Sequence, residues 1–216
     1  MSPRALAPKA LALAASLLSL TACTSSTPTP SDAYSFKAAG SAVNVDTPAL
    51  RKQKAAAGIA ACPNTSASPT PVDKGLPDIT LPCLGGGDAV HLAGLRGTPA
   101  VLNFWAQTCG PCRTESPMFQ QLHEKAAGDL AVLGVDFLDP LPSRAIAFAD
   151  ELGLTYPQVA DPEGATRAPM RVSGLPLTVF VDAGGAVVHA EYGPISSIGD
   201  LTGLVKDYLG VNVILQ

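Results

Sequence analysis

The chain has 216 residues, 47% of them hydrophobic, 5% aromatic and 15% charged, with a formal net charge of −4. That length suits one domain with an appendage, and the composition excludes both a disordered chain and a coiled coil. Fourteen basic against 18 acidic side chains leave no basic footprint, so nucleic acid is not expected as a partner.

The N-terminus separates from the rest first. Residues 1–9 carry Arg4 and Lys9 and no acid, and residues 10–20 are apolar except for Ser16 and Ser19. So short a run cannot span ~30 Å of hydrocarbon and suits a signal-peptide core. Leu20-Thr21-Ala22-Cys23 then resembles the bacterial lipoprotein box, which implies that residues 1–22 are removed and Cys23 is lipidated. Removal takes away two positive charges and leaves the mature chain more acidic, so its own charge does not draw it to an anionic membrane. The expected location is the outer face of the cytoplasmic membrane, held there by lipid.

Residues 24–31 form a Ser/Thr/Pro tether. Thr47-Pro48 reads as a helix start leading into residues 49–61, and residues 63–71 are a second Ser/Thr/Pro-rich loop. From Gly75 the composition becomes that of a compact domain. Residues 79–81 and 89–92 flank Gly85-Gly86-Gly87 as a hairpin. Residues 100–106 are apolar except for Asn103, as in a buried central strand. Residues 109–127 read as a helix, 130–137 as a second buried strand, 143–152 as a helix stopped by Gly153, and 157–160 as a short strand. Strands at 178–182 and 186–192 surround Ala183-Gly184-Gly185, and Ser197 with Asp200 resembles a capping box opening the last helix, 200–209. This order predicts an α/β domain, a mixed central sheet with helices on both faces.

The five cysteines are Cys23, Cys62, Cys83, Cys109 and Cys112. With Cys23 set aside, four remain, and an oxidising compartment invites two disulfides. Three pairings are formally possible; taking Cys109 with Cys112 leaves a structural disulfide between Cys62 and Cys83. A zinc site from the same four is the rival, but one C-x-x-C with two widely spaced partners is a poor ribbon pattern, and no metal is expected. The pair Cys109-Gly110-Pro111-Cys112 falls where a buried strand ends and a helix begins. Free N–H groups and the helix dipole favour a thiolate at Cys109, Cys112 lies one turn on, and Pro in the first turn costs no hydrogen bond.

The segment from Leu102 through Trp105 to Cys112 resembles the active-site segment of thioredoxin-like proteins. Pro117 matches the kink of that family's first long helix, Val172-Ser173-Gly174-Leu175-Pro176 its cis-proline segment, and Gly193-Pro194-Ile195-Ser196 the loop before its last helix. The lipoprotein signal, the hairpin extension and the extra helix–strand at 143–160 point to the TlpA/ResA-like extracytoplasmic branch. The resemblance covers about residues 75–210 and implies a thioredoxin fold at 75–216, with 23–74 as lipid-anchored tether and N-terminal extension. It also implies a thiol–disulfide oxidoreductase in which Cys109 attacks and Cys112 resolves. Trp105, Gly110, Pro111, Leu175, Pro176 and Gly193 would line the substrate groove. Expected partners are proteins with thiols or disulfides and a membrane thiol donor or acceptor; no dissociable cofactor is required. Direction leans to a reductant, for example of apocytochrome c, over an oxidant of exported proteins.

The chain departs from thioredoxin at three places: Asn103 replaces a buried Asp, Thr108 a Trp, and Leu177 a Thr. Another group must then take the Cys112 proton, and Glu115, three residues on, is the candidate; a solvent-facing Glu is the equal alternative. His91, His123 and His189 lack metal spacing and are expected at the surface, and Arg113 reads as a helix-face charge. Rival functions are a thiol peroxidase, for which Ala106 replaces the expected Thr, a binding module with a structural 109–112 disulfide, and a copper-delivery partner, which lacks a Met/His cluster.

Overall fold

The computed structural model describes residues 43–65, 69–126 and 128–214. The expected signal segment, Cys23 and the tether at 24–31 lie outside the described residues. Strand β3 (Ala100–Trp105) is buried at all six positions, which is why its sequence reads as an apolar run instead of an alternation. β4 (Ala131–Phe137) pairs with it in parallel, from Ala100 opposite Ala131 to Trp105 opposite Asp136. β5 (Gln158–Asp161) pairs in parallel with β4. Parallel neighbours need crossovers, supplied by α2 (Gly110–Ala126) and α3 (Pro142–Glu151). On the other side of β3, β6 (Leu177–Val181) and β7 (Val187–Tyr192) add an antiparallel hairpin, giving the order β5-β4-β3-β6-β7. α4 (Ile198–Leu209) closes the domain. Ser197 caps it, accepting the Asp200 N–H at 3.0 Å, and Gly210 ends it in the left-handed conformation at φ 70°.

The expected mixed sheet with a hairpin extension is present, but its helical cover is unequal. Leu50 of α1 (Pro48–Ala56), Phe119 and Leu122 of α2, Ile146 and Phe148 of α3, and Leu201 and Val205 of α4 share one core with Val101, Trp105, Val132 and Phe180. The opposite core joins Leu102, Phe104, Val135 and Val179 to Leu81, Val90 and Val172. That face is covered by the hairpin of β1 (Thr80–Leu81) and β2 (Val90–His91), and among the described residues its helical piece is the 3-10 turn Leu92–Gly94. The cause is topological. The β3-α2-β4 and β4-α3-β5 crossovers step the same way across the sheet, so right-handed connections put α2 and α3 on the same face.

The segment before the hairpin belongs to the helical face. Thr47 caps α1, its Oγ1 accepting the Leu50 N–H at 3.2 Å. The helix stops at Ala57 and Gly58 (φ 67°), short of residue 61. Val45, Leu50 and Ile59 then enter the core. Cys62 and Cys83 are bonded, with Cα atoms 5.9 Å apart, tying this segment to the hairpin beside Val159 of β5. The buried Lys54 ammonium donates to Cys83 Sγ and the Gly86 carbonyl, both at 2.9 Å. Among the described residues no helix is long and apolar enough to cross a membrane.

Candidate active site

Cys109 lies between the end of β3 and the first residue of α2. Its Sγ accepts the Cys112 N–H at 3.2 Å and its carbonyl the Arg113 N–H at 3.2 Å. This is N-cap geometry with sulfur as the acceptor. Once the pair is reduced, the same N–H and the helix dipole favour thiolate over thiol at Cys109. The two sulfurs are bonded, with Cα atoms 5.3 Å apart. Cys109 is half-buried, Cys112 fully buried, and Gly110 and Pro111 between them are exposed.

The neighbouring strand supplies the second wall. The Leu175–Pro176 peptide bond is cis, and β6 starts immediately after it. The Pro176 carbonyl accepts the Gly193 N–H at 3.0 Å, with Gly193 at φ 98°, where a side chain would strain the backbone. Leu175 is half-buried, and among the described residues its main-chain N–H and C=O make no hydrogen bond. Because β6 pairs with β3, this open main chain runs beside the cysteine loop.

Glu115 follows Cys112 by three residues on α2. Its side chain is 1% exposed; Asn103 Nδ2 donates to Oε1 at 3.1 Å and the Ile195 N–H to Oε2 at 3.0 Å. Burial pushes its pKa up to about 7, against the pull of those two donors. The solvent-facing alternative is therefore excluded. Asn103 stands on β3 directly under α2, and its Oδ1 has no partner among the described residues.

Trp105, expected as both core and groove wall, is core. It is fully buried, stacked on Phe148 at 4.7 Å and 13°, with Nε1 donating to Gln158 Oε1 at 3.0 Å. It backs the site from within and offers no surface to a substrate. Gly134 makes the room: a Cβ there would lie 1.7 Å from Gln158 Oε1. Arg113 is held away from the sulfurs, its guanidinium 4.7 Å over Phe148 and 2.9 Å from Glu151 Oε1.

Two aspartates escaped the sequence reading. Asp139, 3% exposed, accepts the Gln107 N–H at 3.2 Å and the Leu141 N–H at 2.9 Å, pinning the cysteine loop to the β4–α3 loop. Asp136, opposite Trp105, is buried with neither oxygen hydrogen-bonded among the described residues, and burial and then the Asp139 charge hold its pKa well above the usual carboxylate range. An Asp inside an apolar strand was the available signal. His91 also corrects expectation: it is 6% exposed and its Nε2 faces Asp78. Among the described residues no three His, Cys, Asp or Glu side chains converge as a metal site.

A family model described as the AhpC/TSA family matches residues 72–190. The chain belongs to the AhpC/TSA family. The matched span runs from before β1 into β7 and contains Cys109, Cys112, Glu115 and Pro176, while α1 and α4 fall outside it. Thioredoxin-like protein YneN of Bacillus subtilis is 34% identical over 122 residues, 56% of this chain and 71% of that protein. Thiol-disulfide oxidoreductase ResA of Oceanobacillus iheyensis is 30% identical over 119 residues, 55% of this chain and 61% of that protein. The solved MTB dsbF structure, in mixed oxidized and reduced forms, superposes with a TM-score of 0.55 at 31% identity, covering 61% of this chain and 95% of that one. The fold of this AhpC/TSA member is thus the thioredoxin-like α/β fold.

Proposed function

We propose that the chain is an extracytoplasmic thiol–disulfide oxidoreductase that reduces disulfides in other proteins through Cys109 and Cys112. The Cys109 thiolate attacks a substrate disulfide, forming a mixed disulfide and releasing one substrate thiolate. Cys112 gives its proton to the Glu115 carboxylate and attacks Cys109 Sγ, releasing the second substrate thiolate. The protein ends oxidised at Cys109–Cys112 and the substrate holds two thiols. A membrane thiol donor of opposite balance would restore the dithiol. Leu175, Pro176 and Gly193 border the substrate, and Gly110 and Pro111 keep the turn after Cys109 tight. Cys62–Cys83 serves as a structural clamp.

The observation that supports this most is the junction itself: a half-buried Cys109 capping α2, bonded to a buried Cys112, with a buried carboxyl of pKa about 7 at Glu115, three residues on in the same helix. A proton acceptor with that pKa suits exchange at neutral pH. The names of the relatives, thiol-disulfide oxidoreductase ResA among them, support the same chemistry. The resemblance to ResA-like lipoproteins favours a reductant, with apocytochrome c as one substrate. Residues 1–22 are proposed as a signal peptide, with lipid at Cys23 anchoring the chain to the outer face of the cytoplasmic membrane. The tether then ends before Val43, since Val45 already packs in the core. Peroxidase chemistry is disfavoured by Ala106, where the peroxidatic arrangement has Thr.

Equilibrating the Cys109–Cys112 pair with glutathione buffers tests the direction. A potential near ~−270 mV, that of thioredoxin, supports the reductant; one near ~−120 mV, that of DsbA, would reverse it.

A further inference from the structure

Lys54 is 8% exposed, and what it faces is sulfur. Its ammonium donates to Cys83 Sγ and to the Gly86 carbonyl, both at 2.9 Å, and among the described residues it hydrogen-bonds to no carboxylate. Asp46 is taken by Arg51, whose guanidinium donates to both carboxylate oxygens. A buried ammonium is costly unless an anion pairs with it, and a disulfide sulfur is a neutral, weak acceptor. Burial accordingly holds the Lys54 pKa below the ordinary lysine value, against the pull of the Asp46 charge.

The other sulfur is mismatched in the opposite sense. Cys62 Sγ lies 3.2 Å from the Gln158 carbonyl oxygen. In the disulfide it has no proton to give; as a thiol it would donate there. A donor thus faces Cys83 and an acceptor faces Cys62. Both neighbours suit a thiolate at 83 and a thiol at 62 better than the bond between them.

The backbone around the pair is held without that bond. The Leu84 N–H donates to the Gln158 carbonyl and the Ala160 N–H to the Pro82 carbonyl, both at 2.9 Å, seating the hairpin side against β5. On the other side the Ala60 N–H donates to the Thr155 carbonyl at 2.8 Å. These main-chain bonds keep the two cysteines in place when their sulfurs part. Access is unequal: Cys62 is 8% exposed, between exposed Ala61 and half-buried Pro63, whereas Cys83 is 1% exposed.

We infer that Cys62–Cys83 is a second redox-active pair, opened by a dithiol that attacks Cys62 Sγ and expels Cys83 as a thiolate held by the Lys54 ammonium. As the new bond forms at Cys62 Sγ, the Cys62–Cys83 bond breaks and its electron pair goes to Cys83 Sγ. A leaving thiol of low pKa leaves faster, and an adjacent lysine lowers that pKa. The second thiolate of the dithiol then attacks its own bonded sulfur and frees Cys62, which takes a proton from water and donates it to the Gln158 carbonyl. The pair gains two electrons and the dithiol becomes a disulfide. The clamp at the hairpin thus opens and closes by exchange, separately from the chemistry proposed at Cys109.

The test uses the full chain with Cys23→Ser, Cys109→Ser and Cys112→Ser, which leaves two of the five cysteines. It therefore stands apart from exchange at Cys109. Chains with Lys54 and with Lys54→Met are equilibrated at pH 7 with mixtures of reduced and oxidised dithiothreitol, quenched in acid and labelled with a maleimide. Fluorescence of Trp105, the single tryptophan, reports folding. With Lys54 the pair is expected to open in the folded chain. Lys54→Met is expected to need about tenfold more reduced over oxidised dithiothreitol for half opening. A lysine that served packing alone would move the balance the other way, because a loosened fold releases its disulfide more readily. Half opening at the same or a lower ratio in Lys54→Met overturns the proposal, as does a pair that opens only when Trp105 reports unfolding. A second measurement stands even if Lys54→Met does not fold: brief treatment of the Lys54 chain with glutathione, followed by peptide mapping, is expected to place the adduct on Cys62. An adduct on Cys83 overturns the proposal.

Discussion

Replacing Glu115 with Gln perturbs the site through a single proton. In the folded oxidised protein the carboxyl titrates at about 7, against the ordinary glutamate value of 4.5 in the unfolded chain. Between these values the unfolded chain has lost the proton and the folded one keeps it, so stability falls as pH rises and levels off above about 7. A gap of roughly 2.5 pH units at ~1.4 kcal/mol each corresponds to about 3 kcal/mol. Gln cannot ionise and removes this slope. It also fits the hydrogen bonds: its carbonyl can accept the Ile195 N–H, and its amide can donate to the unpartnered Asn103 Oδ1 once that amide turns over. Urea unfolding of the oxidised wild type and Glu115→Gln from pH 4 to 9 is the assay. The two are expected to be close below pH 4.5, with the variant gaining up to about 3 kcal/mol by pH 8. In single-turnover exchange the variant is expected to form the mixed disulfide normally and resolve it slowly, with the pH dependence near 7 lost. Parallel stability curves would refute the buried-proton reasoning, and an unchanged pH profile would refute the role in proton transfer.

Converting Cys62 and Cys83 together to Ala opens a loop of 21 residues' separation. It is expected to lower stability by about 3 kcal/mol in urea while leaving exchange at Cys109 intact. Gly134→Ala would drive a methyl into Gln158 Oε1 and break its bond to Trp105 Nε1. A loss of about 1–3 kcal/mol, read from Trp105 fluorescence during unfolding, is expected.

The chemistry was legible because it is local. Cys-Gly-Pro-Cys, the apolar run before it, the Thr47 and Ser197 caps and the Gly185 turn each act within a few residues, so the sequence states them directly. What it concealed depends on distant partners. Glu115 reads equally as a surface residue until Asn103 and Ile195, 12 and 80 residues away, close on it. His91 is buried where Asp78 meets its ring and Thr65 accepts its backbone N–H, partners 13 and 26 residues away. Trp105 read as core and groove wall at once, and Gln158 and Phe148, supplied by β5 and α3, seal it inside. The one-sided α-helical layer follows from strand order, which element succession alone leaves open. Asp139 was unremarkable in sequence, since its bond to Gln107 spans 32 residues.

The most direct test of the central claim is a trap. Cys112→Ser leaves Cys109 able to attack but removes the resolving thiol, so a mixed disulfide with the substrate persists. Expressed with residues 1–22 retained and isolated after acid quenching, the variant is expected to carry exported proteins bonded to Cys109, released by dithiothreitol and absent from Cys109→Ser/Cys112→Ser. Recovery of the variant with no protein bonded to Cys109 would contradict the account.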